Sequence, residues 1–120
     1  MALSQAQYRK CVSPWPGVTL DVKWIDHLVA SVDGKMFAML NLGGKYPDRV
    51  HFKVEDDLFL SLTEQPGIAP AMYLARAKWV TVVEPKRYPL DWYAQSLRRA
   101  YEIVAAKLSK KRQRELGLLS

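Results

Sequence analysis

The sequence predicts an α+β fold: a two-layer sandwich with a mainly antiparallel five-stranded sheet and helices on one face, in the order α-β-β-β-β-α-β-α. Three observations carry this. Apolar and polar residues alternate repeatedly between residues 18 and 54, as half-buried strands require. Those stretches follow one another through short turns, which join antiparallel neighbours, and an antiparallel sheet needs only one covered face. Beyond residue 90 the apolar residues recur every three or four positions, the pattern of a helix lying on a core.

The elements follow in order. "LSQAQYRKCV" predicts a first helix, with Ser4 as its N-cap and Leu3, Tyr8, Cys11 and Val12 on its apolar side. "SPWPG" stops it, because each proline lacks an amide hydrogen. "VTLDVKW" is a strand with Val18, Leu20, Val22 and Trp24 on one face. "HLVASV" and "KMFAMLNL" are the next two, joined by Asp33-Gly34, a pair that tolerates the positive φ of a two-residue hairpin. "GGKYPD" is a loop, and "RVHFKV" a fourth strand with Val50, Phe52 and Val54 inward. In "EDDLFLSL" three acids sit at a helix start, where the dipole favours negative charge. "TEQPGIAP" breaks the pattern, and "AMYLAR" has room for one more helical turn. "KWVTVVE" is the fifth strand. The last helix starts near Leu90, with a stripe of Leu90, Tyr93, Leu97, Tyr101, Val104 and Leu108. A single domain over 1–108 followed by a basic C-terminal tail over 109–120 is expected.

The 120 residues match one domain, and 49% hydrophobic with 25% charged residues is the composition of a globular chain. The lone Cys11 allows no internal disulfide and no cysteine-rich metal site. A reducing compartment, a cytoplasmic location and no membrane partner are expected, since no stretch resembles a signal peptide or approaches the ~20 apolar residues of a membrane span. The net charge of +6 is lopsided. Residues 1–85 hold nine Lys/Arg and nine Asp/Glu, whereas residues 86–120 hold nine Lys/Arg against Asp91, Glu102 and Glu115. Such asymmetry points to an acidic partner or to a solvated helix end.

By alternation Lys23, His51, Lys53, Trp79 and Thr81 share the face away from Val22, Phe52 and Val80. On the third strand Met36, Ala38 and Leu40 form one side and Lys35, Phe37 and Met39 the other, and both are apolar. Either Phe37 and Met39 stand open among lysines, as in base-stacking sheets, or the 64–78 loop or a second subunit covers them. Trp79 reads as a core residue or a stacking one. His27 and His51 lack metal-ligand spacing, Gly43-Gly44 has no phosphate-loop context, and no catalytic motif occurs. No enzyme activity, metal or cofactor is expected.

"DGKMFAML", "FKV", "PGIAPAMYLARAKWVTV" and "SLRRAYEIV" together form a pattern that resembles the MmcQ/YjbR-like family over roughly residues 5–108. It is carried by Gly34-Lys35-Met36-Phe37, Lys53, Pro66-Gly67, Lys78-Trp79, and Ser96 with Tyr101. Lys78 in "ARAKW" stands where relatives carry a histidine. The resemblance implies a frataxin-like or secretion-chaperone-like layout and DNA binding, with no catalytic residues and no cofactor. The function expected is weak, largely electrostatic nucleic-acid binding by Arg98, Arg99, Lys107, Lys110, Lys111, Arg112 and Arg114, with Lys35, Lys53, Lys78 and Trp79 on the sheet side. The alternative is a protein-interaction or chaperone-like module that uses the open sheet face for a partner or a homodimer.

Overall fold

The computed structural model describes residues 2–119. Its elements are α1 (Gln5–Val12), β1 (Val18–Lys23), β2 (His27–Val32), β3 (Lys35–Asn41), β4 (Val50–Lys53), α2 (Phe59–Thr63), β5 (Ile68–Pro70), β6 (Trp79–Val82), α3 (Leu90–Ala105) and α4 (Lys110–Glu115). The α+β class and the antiparallel sheet hold, but the sheet has six strands rather than five, in the spatial order β1-β2-β3-β4-β6-β5. The additional strand is β5, inside the Pro-Gly segment expected only to break the chain, and it pairs Ile68 with Val82 and Pro70 with Val80. Three residues are too few to show a period. Pro70 suits an edge, where a missing amide costs no ladder bond.

Ser4 caps α1 with a reciprocal pair: its Oγ accepts from the Gln7 amide, and the Ser4 amide donates to Gln7 Oε1. The main core lies between the helices and one sheet face. Tyr8, Val12, Tyr93, Leu97, Tyr101 and Val104 meet Leu28, Ala30, Val32, Leu40, Val50, Phe52, Val80 and Val82 there. Tyr93 and Tyr101 bury their rings and donate their hydroxyls to the carbonyls of Pro85 and Pro16, at 2.6 and 2.7 Å. Leu90, expected at the head of the stripe, is 47% exposed. The buried stripe begins at Tyr93, one turn inside the helix.

Two corrections concern the second face. Ala30 pairs with Ala38 but Ser31 pairs with Met36, so Phe37 is an extra residue in β3. This bulge turns Phe37 onto the helix side, edge-on to Tyr101 at 5.6 Å, and leaves Met36 with Met39 on the other face. Phe37 is therefore no open-face aromatic. The other face is partly covered by residues 71–78: Ala71 and Leu74 lie on Val29, Met39 and Trp79. Backbone bonds from the Ala71 amide to the Trp79 carbonyl and from the Trp79 amide to the Leu74 carbonyl hold this flap. Coverage by the loop is thus the outcome of the two readings of that face, and Trp79, 4% exposed, fills a second small core.

Asp33 and Gly34 both have positive φ, 51° and 81°, which is the two-residue hairpin turn expected. Residues 109–119 carry α4, with Ser109 Oγ accepting from the Arg112 amide at 3.1 Å. Leu116 and Leu118 pack against the main core, and Leu116 fills the space over Gly17. Among the described residues no helix is long and apolar enough to cross a membrane.

Candidate nucleic-acid interface

The hairpin register decides which basic residues meet. β3 begins at Lys35 where β2 ends at Val32. β4 ends at Lys53 and pairs there with Trp79, the first residue of β6. Lys35, Lys53 and Lys78 therefore lie at the same end of the sheet. The last turn of α3 and the start of α4 come to that end too, since Arg112 of α4 grips Asp33 in the β2–β3 turn with two hydrogen bonds, at 2.8 and 3.2 Å. Lys107 links the two groups. The Lys53 ammonium is held below the usual lysine range, chiefly by burial and then by the positive charges of Lys107 and Lys78, with Asp56 opposing.

Each cation in this group is positioned differently. Lys53 donates its Nζ to the Ala77 carbonyl. Lys78 has a left-handed backbone, φ 62°, and carries its ammonium 5.1 Å from the centre of the Phe59 ring. Lys35 is exposed next to the turn, where it adds to the effect of Arg112 in holding the Asp33 carboxyl below the usual range. Along α4 Arg112 and Leu116 face the body, so helical geometry turns Lys110, Lys111 and Arg114 outward. Among the described residues no carboxylate pairs with Lys107, Lys110, Lys111 or Arg114.

The remaining predicted cations are engaged. Arg98 bonds Glu102 at 3.3 Å and lies over the rings of Trp15 and Tyr101, at 5.3 and 4.9 Å. Arg99 pairs with Glu55 across a cleft of about 190 Å³ between α2 and α3, lined mainly by Phe52, Val54, Leu58, Leu62 and Ile103. Arg112 is committed to Asp33 and also approaches Glu115 at 3.5 Å. Trp79 presents no ring face to a base.

Sequence reading missed a polar network at the opposite end of the sheet. His51 Nδ1 lies 2.8 Å from Thr81 Oγ1 and Nε2 lies 2.9 Å from Asn41 Oδ1. Asn41 Nδ2 in turn donates to the Tyr46 carbonyl, so its Oδ1 is the acceptor and His51 carries its proton on Nε2. Burial, then the nearby His27 and Arg49, lower the His51 pKa from the ordinary 6.5 to about 4. Its neutral form is thereby fixed at pH 7. The shared face of His51 and Thr81 was readable from alternation, but their pairing needed the β4–β6 register. Among the described residues no group of three His, Cys, Asp or Glu could hold a metal ion. Cys11 is half-buried, and burial raises its thiol pKa, as befits a small apolar filler.

An antiparallel six-stranded sheet backed by an N-terminal and a long C-terminal helix, with lysines collected at one sheet end, defines a small α+β class. The chain belongs to the YjbR family, whose model matches residues 14–103. A crystal structure of protein DR2400 from Deinococcus radiodurans, with a domain described as DUF419, superposes with a TM-score of 0.85 at 25% identity, covering 98% of this chain and 91% of that one. A protein from Pseudomonas syringae shares the fold with a TM-score of 0.63 at 19% identity, covering 83% of this chain and 97% of that one. No curated protein matches the chain in sequence.

Proposed function

We propose that this YjbR-family protein is a non-catalytic, cytoplasmic binder of nucleic-acid backbone, DNA included, weak and without sequence preference. One observation supports the reading above others: among the described residues no carboxylate pairs with Lys107, Lys110, Lys111 or Arg114, and Lys107 lies near Lys53 while α4 reaches the turn beside Lys35. Like charges held together repel, and a polyanion relieves that repulsion. The buried positions of Phe37 and Trp79 argue against base stacking, so phosphate contacts carry the binding.

Four phosphate contacts correspond to a log–log salt slope of about −4 and a dissociation constant no tighter than about 10⁻⁶ M at physiological salt. A salt titration against a random DNA duplex tests this. Replacing Lys107, Lys110, Lys111 and Arg114 with Gln should flatten the slope towards zero. A parent chain that does not bind at low salt would leave the protein-interaction reading in its place.

A further inference from the structure

The two edges of the sheet are unlike. β5 is three residues long and ends in Pro70, a blunted edge. β1 is six residues long, has no proline, and pairs with β2 alone in an unbroken register. The Asp33 amide donates to the Gly17 carbonyl at 3.2 Å, which makes Gly17 and Asp33 a bonded pair. Bonded and non-bonded pairs alternate along antiparallel strands. Thr19, Asp21 and Lys23 therefore turn their backbone groups to β2, and Val18, Leu20 and Val22 turn theirs outward. The Val18 amide is already taken by the Trp15 carbonyl, at 3.2 Å. Among the described residues nothing pairs with the outward amides and carbonyls of Leu20 and Val22 at the edge. Beside them Val22 is 53% exposed, Trp24 60% and Ile25 96%.

We infer that β1 is a self-pairing edge: a second copy of this chain adds its own β1 antiparallel, with Val22 opposite the partner's Val22. Backbone phase allows only even steps between registers: Leu20 or Asp21 on the two-fold axis overlaps five residues of β1, whereas Val22 on the axis overlaps Asp21–Lys23 and brings in Trp24 just beyond the strand. With Asp21 opposite the partner's Asp21, like charges face each other, which opposes pairing. With Leu20 on the two-fold axis, Val18 must offer an amide that it has already spent, and Asp21 faces the partner's Thr19 rather than a cation. With Val22 on the axis, Asp21 stands opposite the partner's Lys23, and the symmetry repeats the pair. Leu20 then lies near the partner's Trp24, whose carbonyl already accepts from the Asp26 amide at 2.9 Å, so the backbone bonds concentrate at Val22 and the two Val22 side chains meet on the apolar side. The contact is isologous, joins two sheets into one, and leaves the lysine-rich α4 free. It does not depend on nucleic-acid binding.

An interface one strand wide is smaller than standard stable interfaces, so the dimer is weak, and sedimentation velocity from about 5 to 500 μM suits it. The full chain should show a monomer–dimer equilibrium across that range. Lys23→Asp places carboxylates opposite carboxylates and should weaken the dimer about tenfold or more. Adding Asp21→Lys to Lys23→Asp exchanges the charges and should restore it. Val22→Lys, at an exposed side chain, sets two ammonium groups on the axis and should leave monomer only; circular dichroism checks that each variant is folded. A parent chain monomeric throughout overturns the inference. So does a dimer indifferent to both Lys23→Asp and Val22→Lys.

Discussion

His51 is folded in its neutral form, and this gives the protein a defined acid response. Its folded pKa of about 4 lies below the ordinary 6.5, so between those values the unfolded chain binds more protons than the folded one. The stabilisation is complete above about 6.5 and is lost as the pH falls towards 4, amounting to roughly 3 kcal/mol over the window. His51→Gln keeps hydrogen-bonding capacity towards Asn41 and Thr81 but cannot titrate. Denaturant midpoints at pH 7 and 4.5 should fall steeply for the parent and far less for His51→Gln; equal falls would place the acid sensitivity elsewhere. Gly34 makes a different residue-scale demand. Nothing lies within 4 Å of a Cβ built there, so space is no obstacle, and the φ of 81° is. Gly34→Val should cost roughly 1–3 kcal/mol, because a β-branched residue resists that conformation, whereas Gly34→Asn should cost less. Matching midpoints for the Val and Asn variants would mean that the turn relaxes to another form.

At the scale of elements, what was legible in the sequence depended on whether a period survived. The stripe of α3 is long enough to show one, and Tyr93, Leu97, Tyr101 and Val104 are buried as the spacing requires. Leu97→Ala should lower stability by about 2–4 kcal/mol, and Val104→Ala by less, through lost burial and a residual cavity. A Leu97→Ala midpoint unchanged from the parent would put the stripe in solvent. β5 was invisible because three residues between Pro66-Gly67 and Pro70 have no period at all. The bulge in β3 was hidden for another reason. "MFAML" is apolar throughout, so its phase cannot be read, and a single extra residue moves Phe37 from one face to the other. The flap of residues 71–78 is held by backbone bonds to Trp79, a pairing across the chain that composition does not encode.

Across the whole molecule, the charge asymmetry was legible to the residue, but its partition was not. Of the basic residues after position 85, Arg87, Arg98, Arg99 and Arg112 serve the fold's own acids, and knowing that required Glu84, Glu102, Glu55 and Asp33 in place. The segment 109–119 consequently has two separable roles. Leu116 and Leu118, each half-buried, join α4 to the core, while Lys110, Lys111 and Arg114 face out. Removing residues 109–120 should therefore do two things at once. It should lower stability by about 2 kcal/mol through lost leucine burial, and cut the salt slope of DNA binding from about −4 to about −1. Lys110→Gln, Lys111→Gln and Arg114→Gln together should flatten the slope equally while leaving the denaturant midpoint near the parent's, because the docked face of α4 is untouched. A truncated chain as stable as the parent would show that α4 is undocked in solution. A triple variant that kept the full slope would move the interface to Lys35, Lys53 and Lys78.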